Sequence, residues 1–296
     1  MKDIKNTRCV GLILKHDDSG KTRDVAIHLC DYLKQRFDSI IACVRDKAIV
    51  SDQTNIRFVS AEEFSRQCEL AFSVGGDGTL LQASHLCSEH DIPIIGINLG
   101  RLGFLVEISP DNFREHLDSI LNGNYRLEER IMLDVALHRN GSITESFTVC
   151  NDVAMHNKNT VRMLELNTHV DGVFLNTIHG DGLIISTPTG STAYALASGG
   201  PLLEPTMEAL LVVPICPHTL SQRPLVIDSK KVIEVTVTER YRDDTVIAVD
   251  GQITRSIESN SKIIIKRSPH KLKLIQILQH DYFTTLRNKL MWSTKP

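Results

Sequence analysis

The stretch LAFSVGGDGTLLQASHLCSEHDIPIIGINL, residues 70–99, decides the fold class of this chain. An apolar run at 70–74 leads into the glycine-rich GGDGT, a helical segment spans 80–90, and a second apolar run occupies 92–99. Short apolar runs separated by glycines and a helix are typical of buried strands in a parallel βαβ unit. The stretch therefore predicts an open α/β sheet, with the glycine-rich loop at the carboxyl end of a strand.

The same alternation of strands and helices extends over the first part of the chain. CVGLILK (9–15) and SIIACV (39–44) have the pattern of buried strands. Between them, residues 21–37 repeat apolar side chains every four positions, as one face of an amphipathic helix does. Another helix is expected to begin after Ser60, whose residue type suits an N-cap. We therefore predict an α/β domain over residues 1–125, with an open parallel sheet.

From about residue 127 the apolar period changes to two, which is typical of strands with one buried face. Three dipeptides that favour tight hairpins separate such segments: Asn140-Gly141, Asp171-Gly172 and Asp250-Gly251. Two more strands are expected at 262–266 and 271–278. The sequence thus predicts an antiparallel all-β domain over residues 126–280, while a C-terminal helix within 281–296 returns to pack on the first domain.

Composition limits the class of protein. The chain has 296 residues, of which 42% are hydrophobic and 23% are charged, and its formal net charge is −3. These values are typical of a globular protein with two domains or one large domain. Because the chain carries no excess of positive charge, neither nucleic acid nor an anionic membrane is expected as a partner.

The cysteines and the first residues bear on the cellular compartment. The seven cysteines include no CxxC pair, which favours reduced thiols over a disulfide framework or a zinc site. The first twenty residues contain one short apolar run, which is too short for a signal peptide or a membrane span. The sequence thus predicts a cytoplasmic protein.

The GGDGT loop places one carboxylate, that of Asp77, among glycines at the start of a helix. Glycines let backbone N–H groups approach a phosphate there, so Gly75, Gly76 and Thr79 are candidate phosphate-binding residues. The loop is not the dinucleotide fingerprint, which needs glycine where Leu81 stands, and it is not a P-loop. Asp77 suits a base, an orienter of a hydroxyl or a metal ligand. The alternative is a tight turn in which Asp77 caps the helix.

A second polar segment, GDGLIISTPTGSTAYALASGGP (180–201), combines glycines with serine and threonine hydroxyls. Hydroxyls and glycine amides bind phosphate and ribose without adding charge, and Tyr194 can stack on a nucleoside or hydrogen-bond to it. A long irregular loop is the alternative, although such loops seldom lack a function in a compact domain. Asn151-Asp152 places an amide beside a carboxylate, and such a pair can clamp adjacent ribose hydroxyls, but taken alone it indicates a turn.

Five segments together resemble the NAD kinase family. They are GGDGT (75–79), IGINLGRLGFL (95–105), Asn151-Asp152, GDGLIISTPTGSTAY (180–194) and PHTLSQRPLVI (217–227), in family order over most of the chain. GGDGT is shared with kinases of the diacylglycerol, sphingosine and phosphofructokinase types, whereas the block at 180–194 is far more specific. The resemblance implies transfer of the γ-phosphoryl group of ATP to the 2′-hydroxyl of the adenosine ribose of NAD, which gives NADP.

The resemblance also implies roles for individual residues. Asp77 would accept or orient the proton of the 2′-hydroxyl, Gly78 would lie against the substrate, and Phe104 would line the adenine pocket. Asn151 and Asp152 would hold hydroxyls of the nicotinamide-side ribose. The other substrate-binding positions implied are Arg162, His179, Asp181, Thr192, Ala193, Tyr194, Ala195, Leu196, Ala197 and Gln252. Of these, residues 192–197 would wrap the adenine and its ribose, and Gln252 would close the site.

The cofactor implied is Mg²⁺, or another divalent metal, bound with ATP. The glycine-rich motifs contain no P-loop lysine and no carboxylate cluster, so the ion would be held mainly by ATP and no metal ligand is assigned to the chain. NAD and ATP are the expected small-molecule partners. A homodimer or homotetramer is also implied, assembled through the β domain, whose exposed strand edges favour pairing.

Two other functions stay open at this point. The first is a GGDGT-type kinase of a lipid or sugar hydroxyl, which accounts for residues 75–79 but not for the block at 180–194. The second is a non-catalytic sensor that binds a dinucleotide. A sensor has no need of Asp77, Asn151 and Asp181, and all three are present.

Overall fold

The structure, a computed structural model, describes residues 4–17, 19–50, 55–100, 103–158, 163–238, 245–257, 261–279 and 281–292. The chain divides into two compact units. One unit comprises Met1–Glu129 together with Leu272–Pro296, and the other comprises Arg130–Lys271. The first is an α/β unit and the second is built almost entirely of strands, so the predicted fold class is confirmed.

The first unit alternates strands and helices, as the sequence predicts. Its elements in chain order are β1 (Cys9–Leu14), α1 (Lys21–Leu33), β2 (Ser39–Cys43), α2 (Lys47–Val50), β3 (Ile56–Val59), α3 (Ala61–Gln67), β4 (Leu70–Gly75), α4 (Asp77–Cys87), β5 (Ile94–Asn98) and α5 (Phe113–Leu121). The strands pair in parallel in the order β5-β4-β1-β2-β3. Their side chains, with those of α1 and α5, form one hydrophobic core.

The strand order creates a switch point between β1 and β4. From β1 the chain builds outward through β2 and β3, and it then crosses back to place β4 on the other side of β1. In open α/β sheets, ligands bind in the crevice outside the carboxyl ends of the strands at such a switch point. The GGDGT loop follows β4 directly and therefore lies at this point.

Two helix starts in the first unit follow from local chemistry. The side chain of Ser60 accepts a hydrogen bond from the N–H of Glu63, at 3.1 Å, which confirms it as the N-cap of α3. α4 begins at Asp77, three residues before the predicted position. The N–H groups of Thr79 and Leu80 donate to the carbonyl of Gly76, so the glycine-rich loop itself forms the first turn of this helix.

The second unit is an antiparallel β structure. Its elements are β6 (Tyr125–Arg139), β7 (Ser142–Val149), β8 (Asp152–Asn157), β9 (Leu164–Val170), β10 (Val173–Gly180), β11 (Gly182–Ser186), α6 (Tyr194–Ala197), β12 (Ala209–Ile215), β13 (Leu225–Asp228), β14 (Ile233–Val237), β15 (Thr245–Val249), β16 (Ile253–Ser256) and β17 (Ser261–Ile277). β6 begins in the first unit and β17 ends in it.

Two layers of strands enclose the core of the second unit. One layer is the antiparallel sheet β13-β12-β11-β8-β15-β16, and the other contains the antiparallel order β10-β9-β14-β17. Inward side chains from both layers, such as Val153 of β8 and Leu166 of β9, belong to one hydrophobic cluster. This packing leaves the other face of β8 free to carry polar residues.

The three predicted hairpin turns are confirmed. In Asn140-Gly141, Asp171-Gly172 and Asp250-Gly251 both residues have a positive φ, between 48° and 82°. Asn, Asp and Gly tolerate this left-handed conformation better than other residues do, and two such residues in succession match the twist of a hairpin. The turns connect β6 to β7, β9 to β10 and β15 to β16.

Two predicted segments differ in the structure. The strands expected at 262–266 and 271–278 form one continuous strand, β17, because the residues between them also stay extended. In the segment 180–201, residues 182–186 form the buried strand β11 rather than part of a long loop.

The C-terminal helix is present as α7 (Tyr282–Lys289) and packs within the first unit. The hydroxyl of Thr285 donates to Glu107 Oε1 at 3.1 Å. Among the described residues, none of the helices has the length and apolar character needed to cross a membrane.

Candidate active site

The glycines of the GGDGT loop have different environments. A Cβ at Gly75 would lie 2.1 Å from the hydroxyl oxygen of Thr79, so the packing of this turn requires glycine there. Thr79 itself is buried against the turn. At Gly76 and Gly78, by contrast, a Cβ would meet no atom within 4 Å. The outer side of the loop is therefore open, and a ligand can approach its backbone closely.

The carboxylate of Asp77 is held by a second loop of the first unit. Its Oδ2 accepts a hydrogen bond from the N–H of Phe104 at 2.9 Å, and its Oδ1 accepts one from the N–H of Leu105 at 3.1 Å. A Cβ at Gly103 would lie 2.1 Å from Oδ1, so glycine is needed to admit the carboxylate. Asp77 therefore links the start of α4 to residues 103–105. A carboxylate offers about four lone-pair sites, and two remain for another donor.

Phe104 lies beside this carboxylate. Its backbone binds Asp77, its ring is partly exposed, and Lys289 of α7 places its Nζ 5.4 Å from the ring centroid. An ammonium at this distance is attracted to the face of an aromatic ring. The predicted catalytic residue and the predicted adenine-lining residue are therefore adjacent.

A cavity of about 560 Å³ lies in the second unit, on the face of β8 that points away from the core. Five of the predicted site residues line it: Asn151, Asp152, Asp181, Ala193 and Tyr194. Seven residues that sequence reasoning did not select complete the lining: Ala154, His156, Asn157, Ile215, Ala248, Asp250 and Gly251. Small apolar residues and a few polar groups in one concave site are typical of small-molecule binding.

Asp250 fixes the backbone of the Asn151-Asp152 pair from one side. Its carboxylate accepts hydrogen bonds from the N–H groups of Cys150 (2.9 Å), Asn151 (2.7 Å) and Asp152 (3.1 Å). These bonds cross about a hundred residues of sequence, so the hairpin turn at 250–251 positions the pair directly.

Thr187 fixes the same backbone from the other side. Its N–H donates to the carbonyl oxygen of Asn151 at 2.8 Å, and its hydroxyl donates to the carbonyl of Cys150 at 2.6 Å. A Cβ at Gly190 would lie 2.3 Å from the same Asn151 carbonyl. The second glycine-rich segment therefore packs tightly under the Asn151-Asp152 pair and leaves the two side chains to the cavity.

The electrostatics of the cavity centre on Asp152. Burial, and secondly the negative charge of the neighbouring Asp250, raise the pKa of the Asp152 carboxyl to about 7. Only 5% of Asp152 is exposed. At neutral pH this carboxyl exists in both protonation states, so it can accept a hydrogen bond from a hydroxyl or donate one to it.

Asp152→Asn is expected to stabilise the protein at high pH. An acid with a raised pKa in the folded state favours folding at low pH, and this contribution is lost as the pH rises from the unfolded pKa to about 7. Asn does not titrate, so the free energy of unfolding of the variant should rise relative to that of the parent by up to about 1.4 kcal/mol per pH unit between pH 4 and 7. Above pH 7 the difference should be constant. Denaturant unfolding without ligand from pH 5 to 8.5 measures it.

The exposed Asp38→Asn variant is the control for that experiment. It makes the same change of residue at an exposed site and so reports the effect of the substitution itself. Parallel curves for Asp152→Asn and the parent would contradict a raised pKa at Asp152.

The predicted segment 192–197 has two structural roles. Ala193 and Tyr194 line the cavity, and Tyr194 is 45% exposed. Ala195 is fully buried in a hydrophobic cluster with Leu211 and other residues, so it anchors the short helix α6. Thr192, Leu196 and Ala197 belong to the same two turns, where the Thr192 hydroxyl donates to the carbonyl of Thr189 at 3.2 Å.

Two more predicted residues, His179 and Gln252, are not among the residues that line the cavity. His179 is half exposed, and its Nδ1 is 3.7 Å from Glu165 Oε2 on the neighbouring strand. Gln252 is exposed after the 250–251 turn, next to the cavity residue Gly251. Arg162 lies outside the described residues.

Sequence reasoning missed Asp250, Thr187 and His156. Asp250-Gly251 was interpreted only as a hairpin turn, and Thr187 only as part of a loop, because the backbone groups they bind are distant in sequence. His156 lies four residues after Asp152 in one strand, so the alternation of β8 could have placed both side chains on one face.

The described residues contain no group of three or more His, Cys, Asp or Glu side chains that could hold a metal ion. Mg²⁺ is commonly bound through one or two carboxylates together with phosphates of the substrate. The chain therefore fits a divalent ion that arrives with a nucleotide better than one held in a cage of protein ligands.

Comparison with known families matches both units. The model of the ATP-NAD kinase N-terminal domain matches residues 10–125, and that of the ATP-NAD kinase C-terminal domain matches residues 150–277. The two matches include GGDGT and the whole of the cavity lining.

Whole-chain relatives agree. An NAD kinase of Photorhabdus laumondii is 39% identical over 296 residues, covering 98% of this chain and 99% of the relative. An NAD kinase of Shewanella piezotolerans is 38% identical over 294 residues, covering 99% and 94% of the two chains.

Two solved structures are similar to this fold. The yeast NADH kinase complexed with NADH has a TM-score of 0.88 at 22% identity, over 98% of this chain and 89% of that one. An Archaeoglobus fulgidus NAD kinase in complex with ATP has a TM-score of 0.71 at 25% identity, over 96% and 98%. Since both domain models and nearly full-length relatives agree, the chain belongs to the ATP-NAD kinase family.

Proposed function

We propose that this protein phosphorylates the 2′-hydroxyl of the adenosine ribose of NAD with ATP, giving NADP and ADP. The observation that carries the proposal is the carboxylate of Asp77, held by two backbone N–H groups at the switch point of the α/β sheet. The nearly full-length identity with proteins named NAD kinase supports the choice of substrate. The same identity does not favour a lipid or sugar kinase, or a sensor.

Asp77 acts on the hydroxyl that attacks the phosphorus. A ribose hydroxyl is a weak nucleophile at neutral pH, but the loose transition state of phosphoryl transfer needs little nucleophilic push. The N–H groups of Phe104 and Leu105 fix the carboxylate, so that a free lone pair can accept the hydroxyl proton and align the oxygen. The proton passes to Asp77 as the bond from oxygen to phosphorus forms and ADP leaves.

The open backbone at Gly76 and Gly78 suits the phosphates of the donor. Side chains at these positions would occupy space that is empty in the structure, and the loop leads into the N-terminus of α4. Helix N-termini attract anions through their backbone N–H groups and the helix dipole. Gly75 and Thr79 contribute by closing this turn. A divalent metal bound to ATP would neutralise charge on the phosphates. Within the GGDGT loop, the carboxylate available to such a metal would be that of Asp77.

The cavity of the second unit binds the dinucleotide. Asn151 and Asp152 would hold ribose hydroxyls, since their backbone is fixed by Asp250 and Thr187 and their side chains line the cavity. Tyr194 would contact a base through its exposed ring. Asp181 is exposed at the same cavity and carries a charge suited to the cationic ring of oxidised NAD.

A homo-oligomer formed through the β structure is also proposed. β10 lies at the end of its sheet, and its residues Val173, Phe174 and Leu175 are 70%, 56% and 37% exposed. An apolar strand edge of this kind favours pairing with a second copy. Light scattering should give a multiple of 33.1 kDa, and a monomer at micromolar concentration would contradict the proposal.

The seven free thiols support a reducing compartment, hence the cytoplasm.

A coupled assay tests the activity. Purified protein is mixed with NAD, ATP and Mg²⁺, and an NADP-specific dehydrogenase reports the product. We expect a signal that requires every component and disappears in Asp77→Ala. Absence of NADP while NAD still binds in calorimetry would point to a different phosphoryl donor or a sensor. Absence of both would refute the proposed function.

A further inference from the structure

β8 presents a row of three side chains to the cavity. Its alternate residues Val153 and Met155 are fully buried in the core. Asp152, Ala154 and His156 therefore point to the opposite face, and all three line the cavity. His156 lies at the far end of this row, about 13 Å along the strand from Asp152 at 3.3 Å per residue.

The ring of His156 is fixed in one tautomer. Its Nδ1 lies 3.1 Å from the carbonyl oxygen of Asn157. A carbonyl can only accept a hydrogen bond, so Nδ1 carries the proton that it donates, and in an imidazole of that tautomer Nε2 is an acceptor. Among the described residues this carbonyl is the hydrogen-bond partner of the ring. Of the two ring nitrogens, Nε2 is therefore the one that remains for a ligand in the cavity that His156 lines.

The surroundings of His156 suit a planar ring. Ala154 and Ala248 are directly opposite each other on β8 and β15, and both line the cavity, so its floor is flat and apolar there. Across β11, Gly182 pairs with both His156 and Ile215. Because Gly182 has no side chain, Cδ1 of Ile215 lies only 3.1 Å from where a Cβ of Gly182 would be, so an apolar side chain borders the cavity beside His156.

We propose that His156 is a specificity-determining residue, which accepts a hydrogen bond from the exocyclic amino group of a base of the dinucleotide. The inference rests on the proposed function only in taking NAD as the ligand of this cavity. NAD has two such groups, on the carboxamide of nicotinamide and at position 6 of adenine. Their common chemistry is an N–H donor on a planar ring. An acceptor at this position selects against a dinucleotide in which oxygen replaces that amino group, because two lone pairs then face each other.

Two analogues distinguish the sources of the amino group. One is the deamidated dinucleotide, in which nicotinic acid replaces nicotinamide, and the other carries hypoxanthine in place of adenine. Calorimetry without ATP gives the Kd of NAD and of each analogue. We expect the parent protein to bind one analogue about 10- to 100-fold more weakly than NAD, as for the loss of one buried hydrogen bond. The analogue that is rejected identifies the base at His156.

His156→Gln is the decisive variant. Glutamine can accept through its oxygen and donate through its nitrogen, so it should bind NAD within a few-fold of the parent and should narrow the discrimination against the rejected analogue to a few-fold. His156→Phe keeps a ring without an acceptor and should weaken NAD binding about 10-fold. In turnover, both variants should raise KM with kcat nearly unchanged, because the contact is made to a base in the ground state and the transition state alike, and not to the reacting hydroxyl.

The exposed His90→Gln is the matched control and should leave all three dissociation constants unchanged. Thermal midpoints report folding, and His156→Gln keeps the test informative should His156→Phe fail to fold. The inference would be overturned if NAD binds but the ratio of each analogue's dissociation constant to that of NAD is the same in the parent and in His156→Gln. Failure of the parent to bind NAD would instead refute the proposed function.

Discussion

Asp77→Asn should lower kcat by about 10³-fold and change the Kd for NAD little. The substitution keeps the size of the side chain but removes the charge and one of the two acceptor atoms. Its amide nitrogen would face the N–H of Phe104 or of Leu105, which both donate to the carboxylate in the parent. The variant therefore loses the carboxylate that we propose accepts the hydroxyl proton, and the side chain loses the orientation that the two N–H groups give it. Single-turnover rates with saturating ATP and NAD measure the first effect, and calorimetry measures the second.

Gly103→Ala provides a second route to the same site. Its Cβ would lie 2.1 Å from Asp77 Oδ1, so it displaces the carboxylate without removing it. If alignment matters, this variant should also lose most of its turnover, whereas the exposed Asp38→Asn should keep full activity. An equal loss of NAD affinity and of rate in Asp77→Asn would make Asp77 a binding residue, and an unchanged rate would refute its role in the reaction.

Local sequence signals predicted the fold well because each has a local cause. The glycine and aspartate turns require a positive φ, and all three hairpins form where they occur. The N-cap at Ser60 depends on one side chain and the N–H three residues later. The bounds of β17 were less predictable, since nothing in the sequence distinguishes two strands with a short break between them from one continuous strand.

The site was predictable only in part, for a physical reason. Motif recognition selected Asp77, which lies at the start of α4, and Asn151 and Asp152, which line the cavity. It did not show that Gly103 is required beside Asp77, or that Asp250 holds the backbone before β8. Such supporting contacts join segments that are distant in the chain, so they are visible only in three dimensions.

Asp250→Ala should cause the largest loss of stability at the cavity. The parent carboxylate accepts from the N–H groups of Cys150, Asn151 and Asp152. Alanine removes the acceptor for all three, of which the N–H groups of Cys150 and Asp152 are buried, and at a cost of about 1–3 kcal/mol for each buried unpaired group a loss of about 2–6 kcal/mol is expected. Alanine also tolerates the φ of 48° at this position less well. Urea unfolding measures the change, and NAD affinity should fall about 100-fold or more because Asn151 and Asp152 lose their fixed orientation.

Asp250→Asn separates the hydrogen bonds from the turn. Asparagine tolerates a positive φ, and its single oxygen can keep the bonds to Asn151 and Asp152, which share Oδ1 in the parent. It should therefore lose only about 1–2 kcal/mol. The same substitution would remove the negative charge that helps to raise the pKa of Asp152, so the pKa of that carboxyl should fall below about 7.

Asp171 offers a matched control, since it occupies the corresponding position of the Asp171-Gly172 turn with a φ of 50°. Its carboxylate is exposed and binds Lys231 and the N–H of Val232. Asp171→Ala makes the same change of residue in the same type of turn, yet it should cost much less stability and leave NAD binding intact. Equal losses for the two alanine variants would mean that the turn conformation, and not the hold on residues 150–152, explains the importance of Asp250. A large loss of stability and of NAD affinity in Asp250→Ala alone would mean that this one carboxylate organises the cavity.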